Sequence, residues 1–198
     1  EVGAFTSREC RRLFEKGCAA GLGIKLHADQ LSDSGGATLA AELGANSADH
    51  LDFVSVDGMA AMAKAGVIGV MLPTVPLYVG SRRQAPAARL QSAGVPLALA
   101  TDFNPGTSPV DSMGIVVALA CLQMRMSPAA ALVAATRNAA YAVGRGDRIG
   151  TLEVGKQADL QIYAVDDYAE LPYKFGMQQP AVVIKAGRVV VEDGIVVS

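Results

Sequence analysis

Three short polar segments of this chain carry the residues best suited to chemistry: KLHADQ (residues 25–30), SADHL (residues 47–51) and ATDFNPGT (residues 100–107). The chain has two histidines, His27 and His50, and each lies in one of the first two segments. Asp102 lies in the third. Each side chain follows a short apolar run, and parallel α/β barrels keep their catalytic side chains at such strand ends. The coincidence favours a metal or acid–base site.

The residue types are those of a hydrolytic metal centre. His27 and Asp102 are suitable nitrogen and oxygen ligands, and His50 would be placed to move a proton of the attacking water. This mixed ligand set suits zinc or iron better than calcium and does not choose between those two. Catalytic zinc usually takes three protein ligands, so at least one further ligand is expected beyond this pair.

The third segment also predicts a substrate loop. The amide of Asn104, the backbone at Gly106 and the hydroxyl of Thr107 are groups that a carboxylate or a cyclic amide would bind. The alternative is a plain hydrogen-bonded turn, because Asp, Asn, Pro and Gly all favour turns. Asp29 and Asp49 adjoin the two histidines and could orient them.

The intervening sequence predicts the elements that position these groups. Apolar runs predict strands at 24–26, 47–50, 67–72 and 95–100, alternating with helices at 7–20, 37–43, 56–65 and 87–93. Further helices are expected at 112–124, 128–136 and 138–143. Such alternation is typical of β/α units with parallel pairing, so the expected fold class is α/β.

A different pattern follows residue 146. Short β-branched runs separated by Gly-Lys and Ala-Gly turns predict antiparallel strands. Two such runs cannot make a stable sheet alone, so further strands are needed from the segment between them or from outside this sequence. We therefore predict two domains, residues 1–147 and 148–198.

Composition narrows the class of protein. The 198 residues are 51% hydrophobic and 18% charged, which indicates a compact globular protein. A net charge of −2 without a basic cluster argues against nucleic acid, and the longest apolar stretch is too short for a membrane span. Three cysteines without C-x-x-C spacing favour the reducing cytoplasm. The sequence opens on Glu without a signal-peptide pattern, so a piece of a larger protein is expected.

Taken together, several motifs resemble the amidohydrolase superfamily. They are HADQLSDSGG, SADHLD, VMLPTVPLYVG, ATDFNPGTSP, NAAYAVGRG and GTLEVGKQADLQI. Within that superfamily they are most similar to the branch that hydrolyses 4-imidazolone-5-propanoate to N-formimino-L-glutamate in histidine degradation. The resemblance implies the C-terminal half of a TIM-type (β/α)8 barrel, strands five to eight, followed by part of a small β-sandwich.

The resemblance also implies roles for individual residues. His27 and Asp102 would be the metal ligands of strands five and eight, and His50 the catalytic histidine of strand six. Asp102 or His50 would pass the proton to the leaving ring nitrogen. The expected substrate contacts are Gln30, Asn104, Gly106 and Thr107. The family's first-strand His-x-His pair is absent from this sequence, so the chain alone is expected to be inactive.

Two other functions are compatible with the motifs. One is a different cyclic amidohydrolase, or an aminohydrolase acting on a purine or pyrimidine ring. The other is a non-catalytic half-barrel that assembles through its open sheet edges. For the enzyme, a homodimer that binds a small molecule is expected.

Overall fold

The computed structural model describes residues 1, 3–177 and 179–197. Its strands form two four-stranded sheets, one from the first half of the chain and one from the last 40 residues or so. The first sheet carries all three polar segments at its strand ends.

The first sheet is parallel, with the order β1-β2-β3-β4. Its strands are β1 (Lys25–Ala28), β2 (Ser47–His50), β3 (Ile68–Met71) and β4 (Leu97–Leu99). The helices before and between them are α1 (Ser7–Ala19), α2 (Gly36–Glu42), α3 (Val56–Ala65), α4 (Thr74–Tyr78) and α5 (Ala87–Ser92). In the register of β1 and β2, His27 faces Asp49 and Ala28 faces His50.

The two faces of this sheet differ in chemistry because side chains alternate along each strand. One face packs against the helices and carries apolar side chains such as Leu26, Ala48 and Leu99. The opposite face carries Lys25 and His27 on β1 and their register partners on β2. On this side the sheet is polar along β1 and β2, whereas β3 and β4 carry Ile68, Val70 and Ala98, which belong to a second, smaller apolar cluster.

Further helices follow the parallel sheet along the chain. They are α6 (Met113–Leu122), α7 (Pro128–Val133), a π-helical segment (Ala134–Asn138) and α8 (Ala139–Ala142). The side-chain amide of Asn138 donates to the carbonyl of Leu97 at 2.7 Å, which ties this helical region to β4. A short helix, α9 (Glu170–Tyr173), packs against α6.

The second sheet is antiparallel, with the order β5-β6-β7-β8. Its strands are β5 (Leu160–Ile162), β6 (Val182–Lys185), β7 (Arg188–Glu192) and β8 (Ile195–Val196). In the ranges that are described, no helix is long and apolar enough to cross a membrane.

The α/β class and the parallel sheet agree with the sequence prediction. Several local details differ. Residues 128–142 form one continuous helical run instead of two helices, and α9 was not expected. A short helix, α4, begins directly after Pro73, where only the end of a strand was expected. Residues 148–157, expected to contribute β structure, form turns instead, and the first strand of the second sheet begins at Leu160. The division at residue 147 stays a prediction.

Candidate metal centre

His27 and His50 meet because the backbone departs from regular strand geometry at His50. His50 is the register partner of Ala28, so a regular strand would direct its side chain away from the face that His27 occupies. Its φ is 76°, in the left-handed region that non-glycine residues rarely adopt. The two imidazole rings lie with centroids 4.4 Å apart and planes inclined by 55°.

The surroundings of His50 favour a neutral imidazole. The residue is 6% exposed, and its Nδ1 is buried without a hydrogen-bond partner among the described residues. Burial, reinforced by the nearby His27, lowers the pKa of His50 to about 4. A neutral imidazole can accept a proton. His27 differs from His50 in its exposure, because its side chain is about half exposed on the polar face.

Asp102 follows β4 and also adopts the left-handed region, with φ 50°. Partial burial raises the pKa of its carboxyl group, while His27 lowers that pKa and Asp49 raises it. Because the four strands are parallel, the loop after β4 lies at the same end of the sheet as His27 on β1 and His50 on β2. The structure therefore brings His27, His50 and Asp102 to one end of the parallel sheet.

Asn104 organises the loop after Asp102. Its Nδ2 donates to the Asp102 carbonyl at 2.6 Å and lies 3.3 Å from Asp102 Oδ2. Its Oδ1 accepts from the backbone N–H groups of Gly106 at 2.9 Å and Thr107 at 2.8 Å. Both polar ends of the side chain are thus used within the loop, which is the hydrogen-bonded turn considered above.

Gln30 lies beside a residue that the sequence did not single out. Its backbone N–H donates to the carboxylate of Glu1, and the same carboxylate lies 3.6 Å from Nε2 of His27. The Glu1 side chain is 5% exposed. No local pattern marks this residue, because it lies 26 positions from His27 and outside the three polar segments.

The aspartates that flank the histidines have other partners than expected. Asp29 binds the start of α2, where its carboxylate accepts from the N–H groups of Gly36 and Ala37, each at 2.9 Å. Asp49 Oδ1 accepts from Ser47 Oγ at 2.8 Å and lies 3.4 Å from Lys25 Nζ. Neither carboxylate binds an imidazole nitrogen, so any orientation of the histidines by these groups is indirect.

The described part of the chain supplies only part of a metal coordination sphere. Within it, no group of three or more His, Cys, Asp and Glu side chains is arranged to hold a metal ion. The candidate ligands His27 and Asp102 are two residues, and their role as metal ligands stays a prediction.

A parallel α/β sheet with histidine and aspartate at its strand ends is the arrangement found in metal-dependent hydrolases. Residues 1–191 match the amidohydrolase family, and the chain belongs to that family.

Among curated proteins, the chain is 52% identical over 194 residues to the imidazolonepropionase of Geobacillus kaustophilus. It is 44% identical over 194 residues to that of Symbiobacterium thermophilum. In each comparison the match covers 98% of this chain and 46% of the relative. The chain thus spans about half the length of the curated relatives it matches.

Solved structures support the fold. An adenosine deaminase from Xanthomonas campestris with bound zinc superposes with a TM-score of 0.84 at 25% identity, covering 98% of this chain and 51% of that one. A 5-methylcytosine deaminase from Klebsiella pneumoniae, liganded with phosphonocytosine, gives a TM-score of 0.78 at 18% identity, covering 97% and 54%. This chain corresponds to about half of each of these structures.

Proposed function

We propose that this chain is the C-terminal half of an enzyme that hydrolyses the cyclic amide C–N bond of 4-imidazolone-5-propanoate to give N-formimino-L-glutamate. The main support for this proposal is the 52% identity to an imidazolonepropionase across 98% of the chain. The contact between His27 and His50, together with the position of Asp102 at the same end of the sheet, supports the same reaction. In the whole enzyme the four parallel strands would form half of a (β/α)8 barrel.

His27 and Asp102 would hold a single metal ion, zinc or iron. An imidazole nitrogen and a carboxylate oxygen suit either ion. The buried Nδ1 of His50, which has no hydrogen-bond partner among the described residues, supports a further polar group at this site. The bound zinc of the Xanthomonas campestris deaminase favours a divalent ion. The remaining ligands would come from outside the described residues, because a catalytic zinc usually has three from the protein.

When bound, the metal would supply a Lewis acid that polarises the ring carbonyl and makes water a better nucleophile. His50 would accept the proton that the attacking water loses, since its imidazole is neutral and lies beside the candidate ligand His27. Asp102 or His50 would then carry that proton to the leaving ring nitrogen. Asn104 would keep the Asp102 carboxylate oriented through its contact with Oδ2.

The substrate would lie over the same sheet end. Gln30 would contact the imidazolone ring, and the exposed backbone at Gly106 and the Thr107 hydroxyl would line the opposite side. Asn104 would act on the substrate chiefly by setting the shape of this loop, because its polar atoms already bind within it.

The test is to join this chain to the N-terminal half of the Geobacillus kaustophilus relative and to measure product formation by mass spectrometry. His50→Ala and Asp102→Ala should each lower kcat by about 100- to 10,000-fold, the usual contribution of a proton-transfer group. Asp33→Ala, an exposed aspartate near the site, is the matched control and should leave kcat unchanged. Full activity in either site variant would reject the role assigned to that residue.

An aminohydrolase acting on a purine or pyrimidine ring is the second candidate, and the superposition on two deaminases favours it. Substrate profiling separates the two functions. An enzyme built for the propionate substrate should reject rings that lack this carboxylate, since a site that binds a polar group discriminates strongly against its absence. Comparable kcat/KM values for adenosine or cytosine derivatives would favour the second candidate.

A cytoplasmic homodimer remains a prediction for the whole enzyme. The third alternative, a non-catalytic assembly module, predicts that this chain associates with itself through its open sheet edges. Sedimentation of the 198-residue chain across a range of concentrations tests it, and a clean monomer at the highest concentration would count against the module.

A further inference from the structure

Two fully buried hydroxyl groups converge on the backbone next to Asp102. Thr74 and Ser108 are both 0% exposed. Thr74 Oγ1 donates to the carbonyl of Thr101 at 3.1 Å, and Ser108 Oγ donates to the same carbonyl at 2.6 Å. The two hydroxyl oxygens lie 2.9 Å apart. The two hydroxyl groups and the carbonyl of Thr101 are thus joined by three contacts into one network, which we term the hydroxyl clamp.

The clamp fixes the peptide plane that leads into Asp102. The carbonyl of Thr101 and the N–H of Asp102 belong to one rigid amide, so holding the oxygen also holds that nitrogen. On the other side of Asp102, its own carbonyl accepts from Asn104 Nδ2 at 2.6 Å. Both amide planes that define the left-handed conformation of Asp102 are therefore held by hydrogen bonds.

The clamp also connects two different strand ends. Thr74 begins α4 directly after β3, whereas Ser108 lies in the loop after β4. The backbone of Ser108 adds a further tie, because its carbonyl accepts from the N–H of Asn104 at 3.0 Å. The direction in which Asp102 presents its carboxylate thus depends on a contact from Thr74, the first residue of the helix that follows β3.

Packing alone does not account for two hydroxyls at this position. A buried hydroxyl costs free energy unless it is hydrogen-bonded, and valine would fill nearly the same volume as Thr74 without needing a partner. Both hydroxyl groups also donate to one acceptor, the carbonyl of Thr101, which adjoins the candidate ligand Asp102. These observations point to a role in placing Asp102 in addition to any role in stability.

We propose that Thr74 and Ser108 are positioning residues that hold Asp102 in the geometry needed to bind the metal. This inference rests on the proposed function, in which Asp102 is a ligand. Groups that orient metal ligands typically change metal affinity or activity by 10- to 100-fold when removed. Ser108 makes the shortest contact in the clamp, so its loss should have the larger effect.

The first experiment measures the metal dissociation constant of the full-length enzyme carrying this chain, by competition of Zn²⁺ with a chromophoric chelator. Ser108→Ala should weaken metal binding by about 10- to 100-fold and Thr74→Val by about 10-fold. Thr74→Ser, which keeps the hydroxyl, should restore affinity to within about threefold of the original, well inside the range of the loss. Ser55→Ala is the matched control, because it removes a hydroxyl that caps α3 and lies outside the clamp.

The second experiment needs no metal and uses the 198-residue chain itself. Amide hydrogen exchange of Asn104, Gly106 and Thr107 reports the loop directly, since the first amide donates to Ser108 and the other two to Asn104. Ser108→Ala and Thr74→Val should accelerate exchange at these amides, whereas Ser55→Ala should leave them unchanged. This readout remains valid if one clamp variant folds poorly, because Thr74→Val preserves the packed volume.

Asp102→Ala separates failure of this inference from failure of the proposed function. If Asp102→Ala leaves the dissociation constant unchanged, Asp102 is not a ligand and both fail. If Asp102→Ala abolishes binding while the clamp variants match Ser55→Ala in affinity and exchange, only the positioning role is overturned. The positioning role is supported if Ser108→Ala and Thr74→Val weaken metal binding while Ser55→Ala does not, and if Thr74→Ser restores it.

Discussion

The carboxylate of Asp29 should be among the largest single contributors to the stability of the parallel sheet. The residue is 1% exposed. Its Oδ1 accepts from the N–H groups of Ser34 at 3.0 Å and Gly36 at 2.9 Å, and from Ser34 Oγ at 3.1 Å. Its Oδ2 accepts from the N–H of Ala37 at 2.9 Å. One side chain thus satisfies four donors between β1 and α2.

Asp29→Ala would remove the acceptor and leave these donors behind. The N–H groups of Gly36 and Ala37 are buried, and each buried unsatisfied group costs about 1–3 kcal/mol. Counting only those two, the variant should lose about 2–6 kcal/mol of unfolding free energy. Asp29→Asn keeps one acceptor oxygen but turns an amide NH2 toward a backbone donor, so its loss should be about half as large.

The assay is urea denaturation of the 198-residue chain, followed by circular dichroism. Asp33→Ala is the matched control, because Asp33 is exposed and, within the part of the chain that is described, accepts only from the N–H of Gly35, at 3.4 Å. Surface substitutions of that kind usually change stability by no more than about 0.5 kcal/mol. If Asp29→Ala and Asp33→Ala lose equal amounts, the buried carboxylate does not hold the loop and the reasoning fails.

Two further predictions concern other parts of the chain. Gly36→Ala would place a Cβ 2.9 Å from the side chain of Ala28 on β1 and should lower the free energy of unfolding by about 1–3 kcal/mol. Gly17→Ala in α1 meets nothing within 4 Å and should raise it by about 0.5–1 kcal/mol. Thermal denaturation measures both, and equal shifts would contradict the packing argument. Hydrogen bonds from Lys185, and then from the N–H of Ala186, lower the pKa of Asp159 from 3.8 to about 2. The stability that Asp159 contributes is therefore present above pH 4 and is lost as the pH falls toward 2. Over that window, amide exchange at Ala186 should accelerate in the original chain. In Asp159→Asn, exchange at Ala186 should change with pH only as intrinsic exchange does.

Local sequence was sufficient to predict most of the elements. β2 and α3 have the predicted bounds. For α3 the local signals agree, because Ser55 caps its start and Gly66 ends it. The turns at residues 148–157 were not predicted. Their β-branched residues favour strands only when a neighbouring strand provides hydrogen-bond partners, and no sequence pattern states where that neighbour lies.

For the site, the sequence by itself determined which side chains stand at the strand ends: His27, His50 and Asp102. Strand periodicity and turn chemistry are local properties, so they can be read along the chain. Only the tertiary structure decided which groups meet. The direction of the His50 side chain depends on the left-handed backbone conformation of that residue. The contact of Glu1 with His27 and the contacts of Thr74 in the hydroxyl clamp join residues about 25 to 35 positions apart. Such contacts leave no periodic trace in the sequence, because they are set by how the strands are placed side by side.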